Sequence, residues 1–475
     1  MRPNPARVAT ELFVAGEELS FGSSRASPVM QRVLDLPDDR AVALLEETLA
    51  RFGGRHPELP AILLANFEQV RDRLGAAADV PLFRRMLIGA YATNERAVEA
   101  AALCNPSIIA HPDQDGTGPG ELRIILSLRA IGEGHISVIE FRTGVVGPGG
   151  EVAIDDPGDQ LVAGHVAPGT YRRTTFLDLL GDAVHDHEIV SRILDRLEPE
   201  FGGAELEAAI TGLEGRDLAR RETRDIIERV RYIASSNYTR SFPPDSDLGQ
   251  RVMQPHGPAE SHGMEDARFV RFTDDDGTVT YFATYTAFTG SHVAPQLMTT
   301  TDFVTFEISQ LTGRAAADKG MAVFPRRISG HYVALSRWDR ERIAVATSPD
   351  GRRWDDPRPV HAPRQPWELI RVGNCGSPIE TAEGWIVLTH GVGPMRTYSL
   401  GALLLDLDDP TRVLGMLSEP LLTPNAAERS GYVPNVVYSC GALVHDHTLV
   451  LPYAYGDRVT TFATVSLPDL LAALH

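Results

Sequence analysis

The pattern of apolar and polar positions divides the chain into two helical blocks and a long remainder of strands. Over residues 1–100, apolar residues recur at helical spacing, as in segment 38–47, where an aspartate stands at the predicted N-cap. The second block covers residues 175–235 and contains alternating charged and apolar residues at 216–231, which predicts an amphipathic helix. We expect both blocks to serve in packing, or as the contact between copies in a homo-oligomer.

The remainder repeats one outline, in which an apolar strand, a short polar turn and a second apolar strand follow each other. Three of these outlines begin roughly 50 residues apart, and repeats of about that length made of short strands are typical of propeller blades. The five outlines cover residues 122–142, 280–299, 332–347, 385–405 and 449–465. The sequence therefore predicts a mainly β protein. It is expected to be a five-bladed β-propeller over residues 101–475, interrupted by the helical insertion at 175–235 and preceded by the N-terminal helical region.

Composition limits the partners and the compartment. The 475 residues carry a formal net charge of −19, which disfavours nucleic acid and anionic membranes as partners because both require a positive surface. Three cysteines lie far apart in sequence, which argues against a disulfide framework and favours a reducing compartment. No apolar run approaches the length of a membrane span, and residues 1–5 lack the apolar core of a signal peptide. The expected location is the cytoplasm.

Segment 263–269 carries the strongest candidate for chemistry, because two adjacent carboxylates stand close to an arginine. If this segment is a regular strand, Met264, Asp266 and Arg268 share one face, and Glu265 lies on the other. A fixed cation tunes the pKa of a neighbouring acid and holds its position. A positioned carboxylic acid can protonate the leaving oxygen of a sugar. A structural ion pair at a strand end would explain the same residues equally well.

Polar clusters recur at the ends of the predicted strands. A propeller gathers loops from all its blades around one central pocket, so polar residues from distant segments become candidates for one site. The clusters lie at residues 127–137, 236–240, 318–327, 335–339, 367–376, 389–393 and 432–437. Each cluster alone is a weak signal, since a single arginine or histidine at a strand end is usually solvated. Together they favour a pocket that is positive despite the net charge.

Other kinds of chemistry find little support. His256 and His262 lie near Glu260, but their spacing matches no zinc pattern, and no metal or cofactor is expected. No Gly-x-Ser-x-Gly elbow and no glycine-rich phosphate loop occur. By elimination, the favoured chemistry is acid catalysis by carboxylates on a hydroxyl-rich ligand.

At this point several motifs, in their order along the chain, resemble those of glycoside hydrolase family 130. The motifs are Met-Glu-Asp-Ala-Arg at 264–268, Asp-Lys-Gly at 318–320 with Phe-Pro at 324–325, Gly-Trp at 384–385 running to His-Gly-Val at 390–392, and Val-Pro-Asn-Val-Val at 433–437. The resemblance covers residues 100–475. It implies a five-bladed propeller that acts on β-mannosides as an inverting phosphorylase or hydrolase.

The resemblance also implies roles for individual residues. Asp266 matches the family's general acid, which in the phosphorylases is thought to act through the 3-hydroxyl of the sugar. The implied phosphate- or anion-binding residues are Arg129, Lys319 and Arg337, to which we add Arg371 from the polar cluster at 367–376. The implied substrate-binding residues are Asn237, Arg268, Asn435 and Asp457, to which we add Glu265 and His390 as candidates. The implied partners are an oligosaccharide and inorganic phosphate.

Two departures from the family pattern bear on the reaction. Many phosphorylases of the family carry His-Arg where this chain has Ser336-Arg337, and the end motif, usually Tyr-Tyr-Gly-Ala-Ala-Asp, is Tyr-Ala-Tyr-Gly-Asp at 453–457. A missing histidine removes one donor to phosphate. The favoured prediction is therefore an inverting hydrolase of β-mannosides, in particular β-1,2-linked oligosaccharides, with Asp266 as acid and Glu368 as base.

Two alternatives stay open. The first is a β-mannoside phosphorylase that releases mannose 1-phosphate and binds phosphate through the predicted cations. The second is a sugar-binding propeller without catalytic activity, against which the presence of Asp266 speaks.

Overall fold

The residues that the computed structural model describes are 1–15, 24–74, 80–181, 188–213 and 221–474. They form two compact units. The smaller unit contains residues 4–99 and 158–163, and the larger unit contains residues 1–3, 100–157 and 164–475. Segment 158–163, which the sequence placed with the propeller, thus folds with the N-terminal unit.

The smaller unit combines helices with a two-stranded antiparallel sheet. Its elements are β1 (Val8–Leu12), α1 (Ala26–Leu34), α2 (Asp38–Phe52), α3 (Leu59–Val70), α4 (Leu82–Tyr91) and β2 (Thr93–Ala97). The apolar faces of the helices meet in one core around Leu63, Phe67 and Leu87. The predicted capping role of Asp38 is wrong, because Asp38 is the first residue of α2 and Pro37 is the N-cap.

The larger unit is a five-bladed β-propeller, which confirms the predicted fold class. Blade 1 contains β3 (Ala102–Ala110), β4 (Leu122–Ile131), β5 (Ser137–Val146) and β6 (Val152–Ile154), and β11 (Val252–Met253) pairs with β5. Blade 2 contains β12 (Met264–Thr273), β13 (Val279–Phe288), β14 (Val293–Thr300) and β15 (Thr305–Gln310), extended by β10 (Tyr238–Ser241) and β7 (His165–Pro168). Blade 3 contains β16 (Ala322–Val323), β17 (Tyr332–Ser336), β18 (Ile343–Ser348) and β19 (Asp355–His361).

The remaining two blades each have an interrupted inner strand. Blade 4 contains β20 (Arg371–Asn374), β21 (Ile379–Glu380), β22 (Trp385–Val392), β23 (Tyr398–Leu405) and β24 (Val413–Met416). Blade 5 contains β25 (Val437–Tyr438), β26 (Leu443–His445), β27 (Thr448–Tyr455) and β28 (Val459–Ser466). Strand β3 packs against both β12 and β27, so blade 1 lies between blades 2 and 5 and closes the ring. Each of the five predicted outlines corresponds to the second and third strands of one blade.

The helical insertion lies between blade 1 and the inner strand of blade 2. Its elements are β8 (Thr170–Arg172), α5 (Arg173–Leu180), α6 (Glu188–Leu194), β9 (Glu200–Gly202), α7 (Gly203–Thr211) and α8 (Arg221–Ala234). They share a core around Phe176, Ile193 and Val230. Helix α8 covers most of the predicted amphipathic helix, whose residues 216–220 lie outside the described part of the chain.

Short helical turns complete the structure. A last helix, α9 (Leu467–Leu474), follows blade 5. The 3-10 turns are Arg71–Leu74, Glu133–His135, Leu248–Gln250, Pro258–Glu260, Arg314–Ala316 and Pro394–Arg396. No helix in the described ranges is both long enough and apolar enough to cross a membrane.

Two β-bulges interrupt the inner strands of neighbouring blades at equivalent places. The register of β3 against β4 shifts between Cys104 and Ser107, and the register of β12 against β13 shifts between Glu265 and Arg268. In a bulge, two residues of one strand oppose one residue of its partner, which turns a side chain in a direction that regular pairing does not allow. Bulges of this kind are common beside active sites.

Each bulge contains a residue in the left-handed region: Asn105 has a φ of 50° and Asp266 a φ of 57°. Because the bulge breaks the alternation of β12, the adjacent Glu265 and Asp266 both line the same cavity. The sequence-based prediction that they lie on opposite faces of a regular strand is therefore wrong.

The inner strands of the blades line two separate cavities of the propeller. Residues early in these strands, such as Asn105 and Asp266, line a polar cavity, whereas later residues, such as Ile108 and Val270, line a second and more apolar one. The two cavities thus lie towards opposite ends of the central channel. The polar cavity contains the predicted acid and is the candidate site.

Candidate active site

The polar cavity has a volume of about 680 Å³ and receives side chains from all five blades. Its charged and aromatic residues are Arg129 from blade 1, Glu265, Asp266 and His292 from blade 2, Asp318, Lys319, Arg337 and Arg340 from blade 3, Arg371, His390, Arg396 and Tyr398 from blade 4, and Tyr438 and Asp457 from blade 5. All four predicted anion-binding residues are in this set. Several charges of each sign therefore face one enclosed space, and their pairing decides what the site can bind.

Asp266 is held at the centre of this arrangement. Its Oδ1 accepts a hydrogen bond of 2.6 Å from Asn105 Nδ2, so the two bulged strands are tied together at the cavity. Arg129 Nη1 lies 3.7 Å from Oδ1, and Arg268 Nη2 lies 3.8 Å from Oδ2. Only 8% of the residue is exposed. The carboxylate is thus fixed in position by an amide and two guanidinium groups.

These neighbours also set the proton affinity of Asp266. Burial alone would raise the pKa of this carboxyl, but Arg129, Arg268 and Lys319 oppose burial, as does the hydrogen bond from Asn105. The net result is a pKa below the ordinary value for aspartate. In the unliganded site Asp266 is therefore ionised at neutral pH.

Glu265 neutralises two of the cavity's cations. Its Oε1 accepts a hydrogen bond of 2.6 Å from Arg129 Nη2, and its Oε2 accepts one from Lys319 Nζ. Burial works against the charge of Arg129, but Glu265 and Asp266 outweigh it, and the pKa of Arg129 is raised. The guanidinium and ammonium groups are therefore ordered by a carboxylate and have less charge left for a ligand.

Arg268 lies beneath the cavity surface and supports the site through hydrogen bonds. The residue is fully buried and does not line the cavity. Its Nε donates to Cys375 O at 2.7 Å, its Nη1 to Asp266 O at 2.7 Å, and its Nη2 to the Tyr438 hydroxyl at 3.0 Å. The predicted direct contact of Arg268 with sugar does not fit this position, since the guanidinium is spent on bonds that hold the bulge and blades 4 and 5 together.

Arg337 and His390 form a second buried pair. Arg337 Nη1 lies 2.9 Å from His390 Nε2, and because a guanidinium can only donate, the imidazole accepts through this nitrogen. Burial, then Arg337, Arg371 and Arg268, hold the pKa of His390 well below the ordinary value, so the ring is neutral. A Cβ at Gly373 would collide with both Arg337 and His390. A glycine is therefore needed there for their close approach.

Arg371 and Arg396 both stand beside Tyr398. Arg371 Nη2 donates to the Tyr398 hydroxyl, and its guanidinium carbon lies 5.6 Å from the ring centroid. The guanidinium carbon of Arg396 lies 5.8 Å from the same centroid. Within the described residues, neither of these arginines, nor Arg337, forms an ion pair with a carboxylate. Three cations of the cavity thus keep charge available for an anionic ligand.

The pKa of Asp457 is shifted in the opposite direction to that of Asp266. It occupies the left-handed region, with a φ of 46°, at the turn between β27 and β28. Burial and the neighbouring Asp266 raise the pKa of Asp457 to about 6, although Arg129 and Arg396 oppose this shift. The cavity therefore holds two carboxyl groups whose pKa values are pushed apart, an arrangement found where acid and base roles are divided.

Besides Arg268, the predicted roles of Glu368, Asn237 and Asn435 have to be compared with the geometry. Glu368, the predicted base, is buried away from the cavity: its Oε1 lies 3.0 Å from His361 Nε2 and accepts from the backbone N–H of Arg364 and Gln365. These bonds use its lone pairs in a loop of blade 4. The prediction of Glu368 as catalytic base is therefore wrong.

The two predicted asparagine ligands also lie elsewhere. Asn237 donates to Thr170 O at 2.8 Å and lines a separate cavity beside the helical insertion. Asn435 Oδ1 accepts from Arg429 Nε at 3.0 Å, and Asn435 is not a lining residue of the central cavity. Asn237 thus lies at another cavity, which does not fit the predicted sugar contact, whereas the predicted contact of Asn435 with sugar stays a prediction.

The position of Ser336 removes the argument drawn from the missing histidine. Ser336 is fully buried and its Oγ donates to Ala315 O at 2.6 Å. Because side chains alternate along β17, Ser336 and Arg337 point in opposite directions, and only Arg337 lines the cavity. The side chain at position 336 has no access to a ligand, so a serine there does not weaken anion binding.

Sequence reasoning missed several residues of the cavity. Asn105 could have been found, since an Asn-Pro pair inside an apolar strand signals a bulge, where proline is tolerated. Arg396, Tyr398 and Tyr438 carried no local signal, because their position depends on how blades 4 and 5 meet. Their role emerges only from the assembled ring.

Sequence comparisons give the site a family context. The model of glycoside hydrolase family 130, described as beta-1,4-mannooligosaccharide phosphorylase, matches residues 220–475, which is more than half of the chain. A 1,2-beta-oligomannan phosphorylase of Thermoanaerobacter sp. (strain X514) is 35% identical over 229 residues, or 47% of this chain and 75% of that protein. A beta-1,2-mannobiose phosphorylase of Listeria innocua serovar 6a is 34% identical over 230 residues, or 47% of this chain and 63% of that protein.

Among solved structures, one similar fold is that of the beta-1,2-mannobiose phosphorylase from Listeria innocua in complex with beta-1,2-mannobiose. The alignment covers 79% of this chain and 92% of the Listeria chain. The TM-score is 0.48 and the sequence identity is 24%.

We predict that Asp457→Asn stabilises the protein at neutral pH and not at acidic pH. A carboxyl whose folded-state pKa is raised from 3.8 to about 6 lowers the stability as pH rises through this interval, because folding disfavours its charged form. An asparagine stays neutral and also tolerates positive φ. Urea unfolding at about pH 7.5 should show a gain on the order of 3 kcal/mol, which should vanish near pH 4. Equal stability of variant and wild type at both pH values would contradict the assigned environment of Asp457.

Proposed function

This chain belongs to glycoside hydrolase family 130, whose enzymes act on mannosides, and on that premise we propose that it is an inverting β-mannoside phosphorylase. It would transfer a mannosyl group from a β-mannoside, in particular a β-1,2-linked oligosaccharide, to inorganic phosphate and release mannose 1-phosphate. The observation that carries this proposal is that Arg337 and Arg371 line the cavity of Asp266 with no carboxylate partner within the described residues.

Charge pairing favours a phosphate ligand over a neutral one. Glu265 compensates Arg129 and Lys319, so these two groups are ordered and can still donate further hydrogen bonds. Arg337 and Arg371 bring charge that remains uncompensated. A guanidinium fits phosphate with two parallel N–H donors, and each hydrogen bond to a charged group is worth about 1.5–3 kcal/mol. A water nucleophile would gain nothing from such donors.

Two of the carboxylates considered as base, Glu368 and Glu265, are poorly placed to activate water, which also favours phosphorolysis. An inverting hydrolase needs a second carboxylate to activate water, about 6.5–9.5 Å from the acid. Glu368 is buried in a loop, and both carboxylate oxygens of Glu265 already accept hydrogen bonds, from Arg129 and Lys319, so Glu265 is poorly placed to bind a water nucleophile. Phosphate is itself an anion and needs no base. The names of the relatives from Thermoanaerobacter and Listeria, both phosphorylases of 1,2-linked mannosides, support the same choice and the linkage.

Hydrolysis remains the second candidate because of one observation. Asp457 lies in the same cavity as Asp266 and has a pKa near the range that suits a general base. If Asp457 activated water, the uncompensated arginines would have no role in the reaction. The products distinguish the two reactions.

The proposed reaction proceeds in one displacement at the anomeric carbon. A phosphate oxygen forms a bond to this carbon while the bond to the leaving sugar oxygen breaks. Asp266 supplies the proton for the leaving oxygen through the sugar 3-hydroxyl, as the resemblance to the family implies. The proton of hydrogen phosphate then restores Asp266. Mannose 1-phosphate leaves as a dianion, so no proton is gained or lost overall.

Phosphate binding prepares the acid for this step. In the unliganded site, Arg129, Arg268 and Lys319 keep Asp266 ionised. A dianion bound at the same cluster of cations offsets their effect on the carboxyl and raises its pKa by Coulomb repulsion. Asp266 would therefore take up a proton when phosphate is present, which makes cleavage depend on the second substrate.

We predict that Asp266→Asn abolishes cleavage and leaves folding intact. Asparagine has the same shape, tolerates the left-handed conformation and can still bond to Asn105, but it cannot donate an acidic proton. The loss in kcat should be about 10²–10⁴-fold. Circular dichroism and the unfolding midpoint of the variant serve as controls. Turnover near the wild-type rate in a folded variant would refute the assignment of Asp266 as acid.

We predict that cleavage of β-1,2-mannobiose requires inorganic phosphate and yields mannose and mannose 1-phosphate in equal amounts. The enzyme should be assayed after removal of phosphate, with and without added phosphate, and the products should be separated by anion-exchange chromatography. Sulfate at equal ionic strength controls for salt effects. Release of two mannose molecules at full rate without phosphate would overturn the proposal and favour hydrolysis.

A further inference from the structure

One hairpin in each blade stands at the rim of the polar cavity. It connects the second and third strands and contains a residue with positive φ in every blade. These residues are His135 in blade 1, Gly290 in blade 2, Arg340 in blade 3, Arg396 in blade 4 and Asp457 in blade 5. The residues at these turns differ in type among the blades, and three of them, Arg340, Arg396 and Asp457, line the cavity.

The hairpin of blade 4 adopts an unfavourable left-handed backbone conformation at the residue that lines the cavity. Met395 and Arg396 are consecutive non-glycine residues with φ of 56° and 55°. The hairpin of blade 1 has nearly the same backbone but uses Gly134 at the first of these positions. Left-handed residues other than glycine cost roughly 1 kcal/mol each, and such strain tends to be kept where it serves function. Met395 is 87% exposed, so the turn gains no burial from it.

What the turn achieves is the placement of Arg396. Its guanidinium carbon lies 5.8 Å from the Tyr398 ring centroid, and that of Arg371 lies 5.6 Å from the same centroid. Two cations beside one ring repel each other. In the described ranges no carboxylate forms a close ion pair with either of them, and Asp457 attracts Arg396 only from a longer distance. A dianion between them and Arg337 would remove the repulsion and gain charge-assisted hydrogen bonds.

On the basis of the proposed function, we propose that Arg396 is a further phosphate-binding residue, which contacts the anion from the rim hairpin together with Arg371. A guanidinium at this place favours phosphate over the sugar, because a dianion adds charge attraction to hydrogen bonds that a neutral hydroxyl would also accept. Electrostatic attraction at the mouth also favours entry of the anion against the net charge of the whole chain, −19.

The test is a kinetic comparison of Arg396→Gln with the wild-type enzyme, with phosphate and β-1,2-mannobiose varied separately. We expect KM for phosphate to rise at least tenfold and KM for mannobiose to stay within twofold. Arg396→Lys keeps the charge but loses the planar pair of donors, so its KM for phosphate should lie between the two. Calorimetric titration with inorganic phosphate in the absence of sugar should show the same order of affinities.

Two control variants separate this effect from indirect ones. Met395→Ala changes the neighbouring residue of the same turn, and its KM for phosphate should equal that of the wild type unless the turn itself has moved. Arg412→Gln removes one charge from an exposed ion pair with Asp406 in another loop, and should likewise leave both constants unchanged.

The possible results decide between the inference and the function on which it rests. A wild type that needs phosphate, combined with an unchanged KM for phosphate in Arg396→Gln, overturns the inference and leaves the phosphorylase proposal intact. An equal rise in both KM values also overturns it, since Arg396 would then act on the sugar or on the turn. Wild-type cleavage that is independent of phosphate overturns both.

Discussion

The hydrogen bond between Asn105 and Asp266 depends on a feature that two neighbouring blades share. Both inner strands contain a bulge with a left-handed residue at the same level of the channel, and only this pair of bulges brings the amide and the carboxylate to 2.6 Å. A regular β12 would point one of Glu265 and Asp266 away from the cavity. The bulge lets both act there, one on the cations and one on the ligand.

Carboxylates determine how the positive charge of the cavity is distributed. Glu265 accepts hydrogen bonds from Arg129 and Lys319, and Asp266 is attracted by Arg129 and Arg268. Much of the positive charge is therefore compensated by carboxylates of the protein itself. The cations of blade 4 and Arg337 are left without such partners in the described ranges. Blades 1 and 2 thus form the acid side of the cavity, and blades 3 and 4 form the anion side. This separation is what phosphorolysis needs, because the acid must act on the leaving oxygen while the nucleophile is a dianion.

Much of the fold could be predicted from the sequence, because the middle strands of each blade carry an apolar pattern with regular turns. Asp266 and the four predicted cations also line one cavity, in keeping with the polar clusters found at the strand ends. The bulges could not be predicted from alternation, which assumes regular pairing. Glu368 lies in one of the polar clusters predicted at strand ends, and its burial against His361 depends on a loop that no pattern describes. The importance given to Ser336 was also wrong, because its side chain points away from the cavity on β17.

The central claim is that the cavity binds phosphate and that this binding protonates Asp266. Calorimetric titration of phosphate into the sugar-free protein, repeated in buffers with different ionisation enthalpies, measures both the binding and the protons taken up. The account predicts saturable binding at one site, with proton uptake that is smaller in Asp266→Asn than in the wild type. Absence of saturable binding, or proton uptake that is the same in the wild type and in Asp266→Asn, would contradict it.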